Sequence, residues 1–157
     1  MKRLLGVLTV ATSLFAVDLA RADDPSGLWR TEAATYQYRI ARCDDAWCVY
    51  LAWVAENVRD EQNSDPAKRN RWVIGIIVVA DGKSDGTNRW KGNGYWFRNG
   101  NTYAGYAELV NNNTLKVSGC ILGGVVCGST NLYRSSKYPP AEPEDLVQEP
   151  LKAARTQ

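Results

Sequence analysis

The chain has 157 residues, with 19 basic and 17 acidic side chains, four cysteines and no histidine. Without histidine there is no Ser-His-Asp triad, no Cys-His dyad and no His-ligated metal centre. The near balance of charge lacks the basic footprint that phosphate recognition needs, so nucleic acid is not an expected partner.

Residues 1–22 read as a signal peptide. Lys2 and Arg3 form a positive start, and Leu4 to Leu19 is apolar apart from Thr9, Thr12, Ser13 and Asp18. Ala20-Arg21-Ala22 follows as a small-x-small cleavage pattern. A retained membrane anchor fits less well, because a span needs about 20 clean apolar residues and Asp18 interrupts this run. Cleavage near Ala22 places the mature chain in the periplasm or outside the cell, with no transmembrane segment. It also removes Lys2, Arg3, Arg21 and Asp18, which brings the net charge of +2 to neutrality. The remaining length suits a single domain, residues 23–134, with a core of its own.

From Gly27 onward the periodicity is that of strands. Tyr36, Tyr38 and Ile40 alternate with Gln37, Arg39 and Ala41, and Leu51 and Trp53 continue the pattern after Cys48. Asn63 to Arg69 predicts a single helical turn, with Asp65 as its cap and Pro66 at its first position. The turn lies in a long connection, 57–71, which is either functional or a plug over one end of a barrel. Trp72 to Ala80 is a nearly continuous apolar run that predicts a strand dry on both faces. Asp81-Gly82, Asp85-Gly86, Asn93-Gly94 and Asn99-Gly100 are turn signals. Short β-branched and aromatic runs separate and follow them, as far as Val125 to Tyr133. The predicted fold is all-β: about eight antiparallel strands in meander order, with one short helical turn. Closure into an up-and-down barrel removes exposed edges, and a two-sheet sandwich is the competing architecture. Residues 135–157, with Pro139, Pro140, Pro143 and Pro150 among charged residues, predict a disordered tail.

The cysteines fall in two local couples, Cys43 with Cys48 and Cys120 with Cys127. In an exported chain they are expected as disulfides. Four cysteines permit three pairings. The local one is favoured because each couple flanks turn chemistry, Asp44-Asp45 in the first and Gly123-Gly124 in the second. Clips over such short loops contribute about 2 to 2.5 kcal/mol each in the chain-entropy account. The spacing suits neither a zinc site nor a redox C-x-x-C pair, and no metal is expected.

Gly27-Leu28-Trp29-Arg30-Thr31 begins a set of residues that resembles a bacterial exported family, the domain of unknown function 2147. The resemblance continues through Arg39-Ile40, Cys43 and Cys48, and a strand with Trp53. It then takes in Asn63, Asp65-Pro66-Ala67, Arg69 and Arg71, a strand with Gly75, Trp90, and Gly100 to Tyr103. It closes on Leu115 to Val117, Gly119-Cys120, Cys127-Gly128 and Arg134. Trp72, Val49 and Leu132 depart from the family's usual Pro, Gly and Trp. The family carries no established activity. The resemblance implies a lipocalin-like barrel in the cell envelope, with Trp29 closing its base and Arg134 packed over the indole.

Six Trp and eight Tyr are many for this length. Tyr38, Ile40, Leu51, Trp53, Tyr103 and Leu109 fall on expected inward positions, and Tyr38, Leu51, Trp53 and Tyr103 are candidate ligand-lining residues. Aromatics could equally fill the interior, and small barrels are often packed. Arg69 and Arg71 are candidate contacts for an anionic group. No carboxylate pair, phosphate loop or dinucleotide motif marks an enzyme, and no cofactor is expected. The leading expectation is an exported barrel that binds a small apolar or amphipathic molecule. The alternative is a non-catalytic interaction module using Trp47, Trp96 and the 57–71 connection. An envelope hydrolase or glycan-binding enzyme ranks last.

Overall fold

The computed structural model describes residues 24–136; the expected signal peptide and nearly all of the expected tail lie outside them. Eight strands follow one another around a closed barrel: β1 (Gly27–Thr31), β2 (Tyr36–Cys43), β3 (Ala46–Val54), β4 (Ile77–Ser84), β5 (Arg89–Trp96), β6 (Asn101–Asn111), β7 (Thr114–Ile121) and β8 (Val126–Ser135). Each pairs antiparallel with the next, and β8 returns to β1 with Trp29 opposite Arg134. No edge strand is left, so the barrel reading holds over the sandwich.

The two ends differ. The base carries the β2–β3, β4–β5 and β6–β7 turns, and the described chain both enters and leaves there. The other end carries the β1–β2, β5–β6 and β7–β8 turns and the long connection from β3 to β4.

The base is sealed by a buried cluster of Trp29, Ile40, Trp90, Leu109, Leu115 and Leu132. Trp29 is fully buried, and its Nε1 donates to the Pro25 carbonyl at 2.8 Å. The Arg134 guanidinium sits 4.2 Å from the indole centroid and donates to the Ser26 and Asn112 carbonyls, each at 2.6 Å. A cation over an indole contributes about 0.5 to 2 kcal/mol and satisfies carbonyls that a turn leaves open.

The connection contains the expected turn as a short 3-10 segment, Pro66–Lys68, with the Asp65 carboxylate accepting from the Ala67 amide at 3.0 Å. The Trp72 to Ala80 run is not one strand. Strand β4 begins only at Ile77, because Gly75 adopts a left-handed backbone (φ 89°) that ends the extended path. Val73, Ile74 and Ile76 are buried with Leu51, Val54, Val78 and Phe97 instead, plugging the upper end over β2 to β5. A Cβ at Gly100 would collide with the Gln62 carbonyl, so the connection packs directly on the β5–β6 turn.

Two of the four turn signals fall inside strands. Asp81-Gly82 lies in β4 and Asn93-Gly94 in β5. The Asp81 carboxylate takes the Asn93 amide at 2.8 Å and its side-chain Nδ2 at 2.6 Å, so a side chain bridges the ladder where β4 bulges.

Both disulfides join local partners, Cys43 to Cys48 near the base and Cys120 to Cys127 at the other end. Cys120 and Cys127 are direct cross-strand partners, whereas Cys48 lies opposite Ala41 and bonds diagonally. The strand alternation puts all four cysteines on the outer face, away from the interior.

Candidate functional site

The interior is open. Between the sealed base and the plug lies a cavity of about 650 Å3. This is within the range of about 300–1,000 Å3 usual for small-molecule sites. Its lining is overwhelmingly apolar and aromatic. One wall is built by Tyr36, Tyr38 and Ile40 of β2 with Trp47, Val49 and Leu51 of β3. The opposite wall, across β5 to β8, carries Trp90, Trp96 and Tyr103 but is bare along one row.

That bareness has a simple cause. Gly92 pairs with Gly105, Gly105 with Gly119, and Gly119 with Gly128, so four glycines form one row across four strands. All four line the cavity. A Cβ at Gly119 would have the Tyr103 Cβ as its nearest neighbour at 3.9 Å, and one at Gly128 would meet nothing within 4 Å. At Gly105 a Cβ would run into the Ser118 carbonyl instead. The row therefore combines close strand approach with volume that larger residues would have filled.

The cavity opens beside the β7–β8 hairpin. Ile121 and Val126 line it and are still 48% and 50% exposed. Val126 to Asn131 are exposed on both faces of β8, which is possible only where the interior meets solvent.

Tyr38, Leu51 and Tyr103 line the cavity. Trp53 does not. Tyr38 stands opposite Leu51 while the preceding Gln37 stands opposite Trp53, so Ala52 is an extra residue in β3. The bulge turns Trp53 to the outer face, since cross-strand partners share a face and one extra residue inverts the alternation. Burial, then the neighbouring Tyr36, raise the Tyr38 phenol far above its ordinary range. It remains a neutral hydroxyl in an apolar wall. The Tyr103 hydroxyl accepts from Asn99 Nδ2 at 2.7 Å.

Arg69 and Arg71 are occupied by the protein itself. Arg71 gives both Nε (3.0 Å) and Nη2 (2.8 Å) to one oxygen of Asp60, a carboxylate with no exposed surface. Asn63 Nδ2 donates to the same oxygen at 2.8 Å, and the Tyr95 hydroxyl donates to the other at 2.5 Å. Arg69 Nε donates to the Asn63 carbonyl at 2.8 Å. The expected anion contact is thus an internal one: a buried charge is tolerable only when paired and fully hydrogen-bonded, and Asp60 is both. Burial first, then the hydrogen bond to Asp60, push the Tyr95 phenol up to about 12.

Trp47 and Trp96 also face the cavity, so they are not the outer contact surface expected of an interaction module. Among the cavity-lining residues Lys91 alone is charged, and its ammonium turns away to Asp85 at 3.1 Å. The lining therefore offers steric fit and dispersion rather than acid–base groups.

Sequence reasoning missed Asp60, the glycine row and the bulge at Ala52. The row did have a signal. Gly105 and Gly119 are equidistant from Asn112, and Gly119 and Gly128 from the Gly123-Gly124 turn, as residues paired across hairpins must be. Asp60 had none, being one acid among many in a polar connection.

Comparison with known proteins follows the architecture. Among solved structures the chain is similar to protein HP1028 of Helicobacter pylori, described as belonging to the lipocalin family. The two share 20% identity with a TM-score of 0.66, over 73% of this chain and 84% of that one. At that identity the likeness establishes a common lipocalin-like fold. No curated protein matches significantly by sequence. Residues 27–134 match the family described as "Uncharacterized protein conserved in bacteria (DUF2147)", and the chain belongs to it.

Proposed function

We propose that this protein is an exported barrel that holds a small apolar or amphipathic molecule and acts by binding rather than by reaction. The observation that carries this reading is the cavity of about 650 Å3, lined by aromatic and aliphatic side chains and by a row of four glycines. An apolar guest gains about 25 cal/mol for each Å2 it withdraws from water. The neutral Tyr38 hydroxyl gives such a guest one polar point of orientation. Two disulfides suit an oxidising compartment, and the expected signal peptide supplies the route to it. The guest is a single molecule with an extended apolar part, since the cavity is one continuous space and its lining has no charged group aimed inward.

Native mass spectrometry of protein purified from a periplasm tests the reading. A retained small-molecule mass that is absent from a Gly128→Leu variant is the expected result. No retained mass, together with no uptake of a dansylated fatty acid, would overturn it.

A further inference from the structure

Among the described residues the β7–β8 hairpin stands apart from the rest of the surface. From Val117 to Tyr133 it contains no charged residue. Its tip exposes Ile121, Leu122, Val125 and Val126, with Leu122 and Val125 at 74% and 82%. These four make up most of the large exposed apolar residues described. Between them Gly123 and Gly124 sit in left-handed backbone, and a Cβ on either would meet nothing within 4 Å. The Cys120–Cys127 disulfide clips the strands immediately behind the tip. A protruding, uncharged, cross-linked apolar tip is costly in water and is not a surface needed to fold the barrel.

We infer that this tip docks into the surface of a lipid bilayer, placing the cavity mouth against the membrane so that the guest passes between bilayer and barrel. The inference rests on the cavity being a ligand site.

Three features favour a bilayer over a protein partner or the chain's own ends. The tip is convex, so it inserts into a soft apolar medium without needing a matching groove. The same strands carry the exposed apolar tip and the open wall: Ile121 and Val126 belong to both, so apolar surface runs without a break from the outside into the cavity. The described chain enters and leaves at the base, the far end of the barrel, so neither end emerges beside the tip. Insertion is shallow, within the depth of about 5–10 Å at which interfacial segments sit. With no charge from Val117 to Tyr133, binding depends on apolar area and not on anionic headgroups.

Flotation of the exported protein with phosphatidylcholine vesicles tests this, in parallel with a Leu122→Asn/Val125→Asp variant in the same background. Any contribution from the N-terminal apolar segment is then common to both. Asn tolerates the left-handed backbone at Leu122 (φ 52°), and both positions are exposed, so the variant folds. The parent should float, and the variant should partition about tenfold more weakly. Neither added salt nor added phosphatidylglycerol should change the parent's binding, because screening acts only on charge. Uptake of a dansylated fatty acid in solution, read by energy transfer from the cavity tryptophans, should be equal in the two proteins. Failure of the parent to float, or equal flotation of both, overturns the docking while dansyl uptake leaves the cavity reading intact. A concentration-dependent dimer that the variant abolishes, without vesicle binding, also overturns it and assigns the tip to a second copy. Loss of dansyl uptake in both proteins overturns the cavity reading, whatever the flotation shows.

Discussion

Two hairpins of this barrel carry the same covalent clip and otherwise have little in common. The Cys43–Cys48 hairpin at the base ends in Asp44 and Asp45, and its Cys48 is buried with Tyr50 against Ala41. The Cys120–Cys127 hairpin at the opposite end closes on Leu122, Gly123, Gly124 and Val125, all exposed. The first caps a packed region in which Trp29 and Arg134 complete the seal. The second stands beside an opening. A disulfide over a short loop contributes similar chain entropy wherever it sits. What differs is what it holds: at the base it reinforces a core that is already closed, and at the mouth it fixes a hairpin that has little packing of its own.

Trp29→Ala should have the largest effect. It empties the base beneath Arg134 and should cost about 3 to 5 kcal/mol, measured by denaturant unfolding. A smaller loss would mean that the base is less tightly closed than its burial implies. Removing the clips separately is the sharper contrast. Cys43→Ser/Cys48→Ser and Cys120→Ser/Cys127→Ser should each cost about 2 kcal/mol. Hydrogen exchange in the second variant should rise only in β7 and β8, and a rise throughout the barrel would erase the difference between the two ends.

Tyr95→Phe removes a hydroxyl from the Asp60 cluster and should cost about 1 to 2 kcal/mol at neutral pH. It also has a pH signature. The Tyr95 phenol is raised from its ordinary value near 10 to about 12 in the folded state. Its stabilisation is therefore complete below pH 10 and is lost as the pH rises through 12. The parent's melting temperature should fall across that window, and the variant's should fall less. Buried Tyr38 adds to the same alkaline loss in both proteins. Gly128→Leu should have the smallest effect on stability, within about 0.5 kcal/mol, because the new side chain enters empty space. It should nevertheless weaken uptake of a dansylated fatty acid at least about tenfold.

The fold was largely legible because its signals are local. Alternation in β2, the Asp65-Pro66 cap and the turn chemistry around both cysteine couples are each decided within a few residues. The misreadings have a common origin in contacts between residues distant in sequence. Asn93-Gly94 looks like a turn until Asp81, on the neighbouring strand, takes its amide. Trp53 follows the inward pattern until one bulged residue in β3 inverts it. Arg71 looks like a free cation until Asp60 is placed beneath it. The cavity itself was obscured because aromatic content signals bulk, whereas part of the space lies where Gly119 and Gly128 have no side chain. Glycine was read as punctuation, although the hairpin symmetry of the row was available to be read as absence of volume.

The placement of the chain ends has a practical bearing. Both described ends, Asp24 and Ser136, lie at the closed base. A surface-immobilised or fused copy attached through either would hold its opening outward. Orientation, usually engineered into a capture reagent by trial, is here a consequence of an even number of strands.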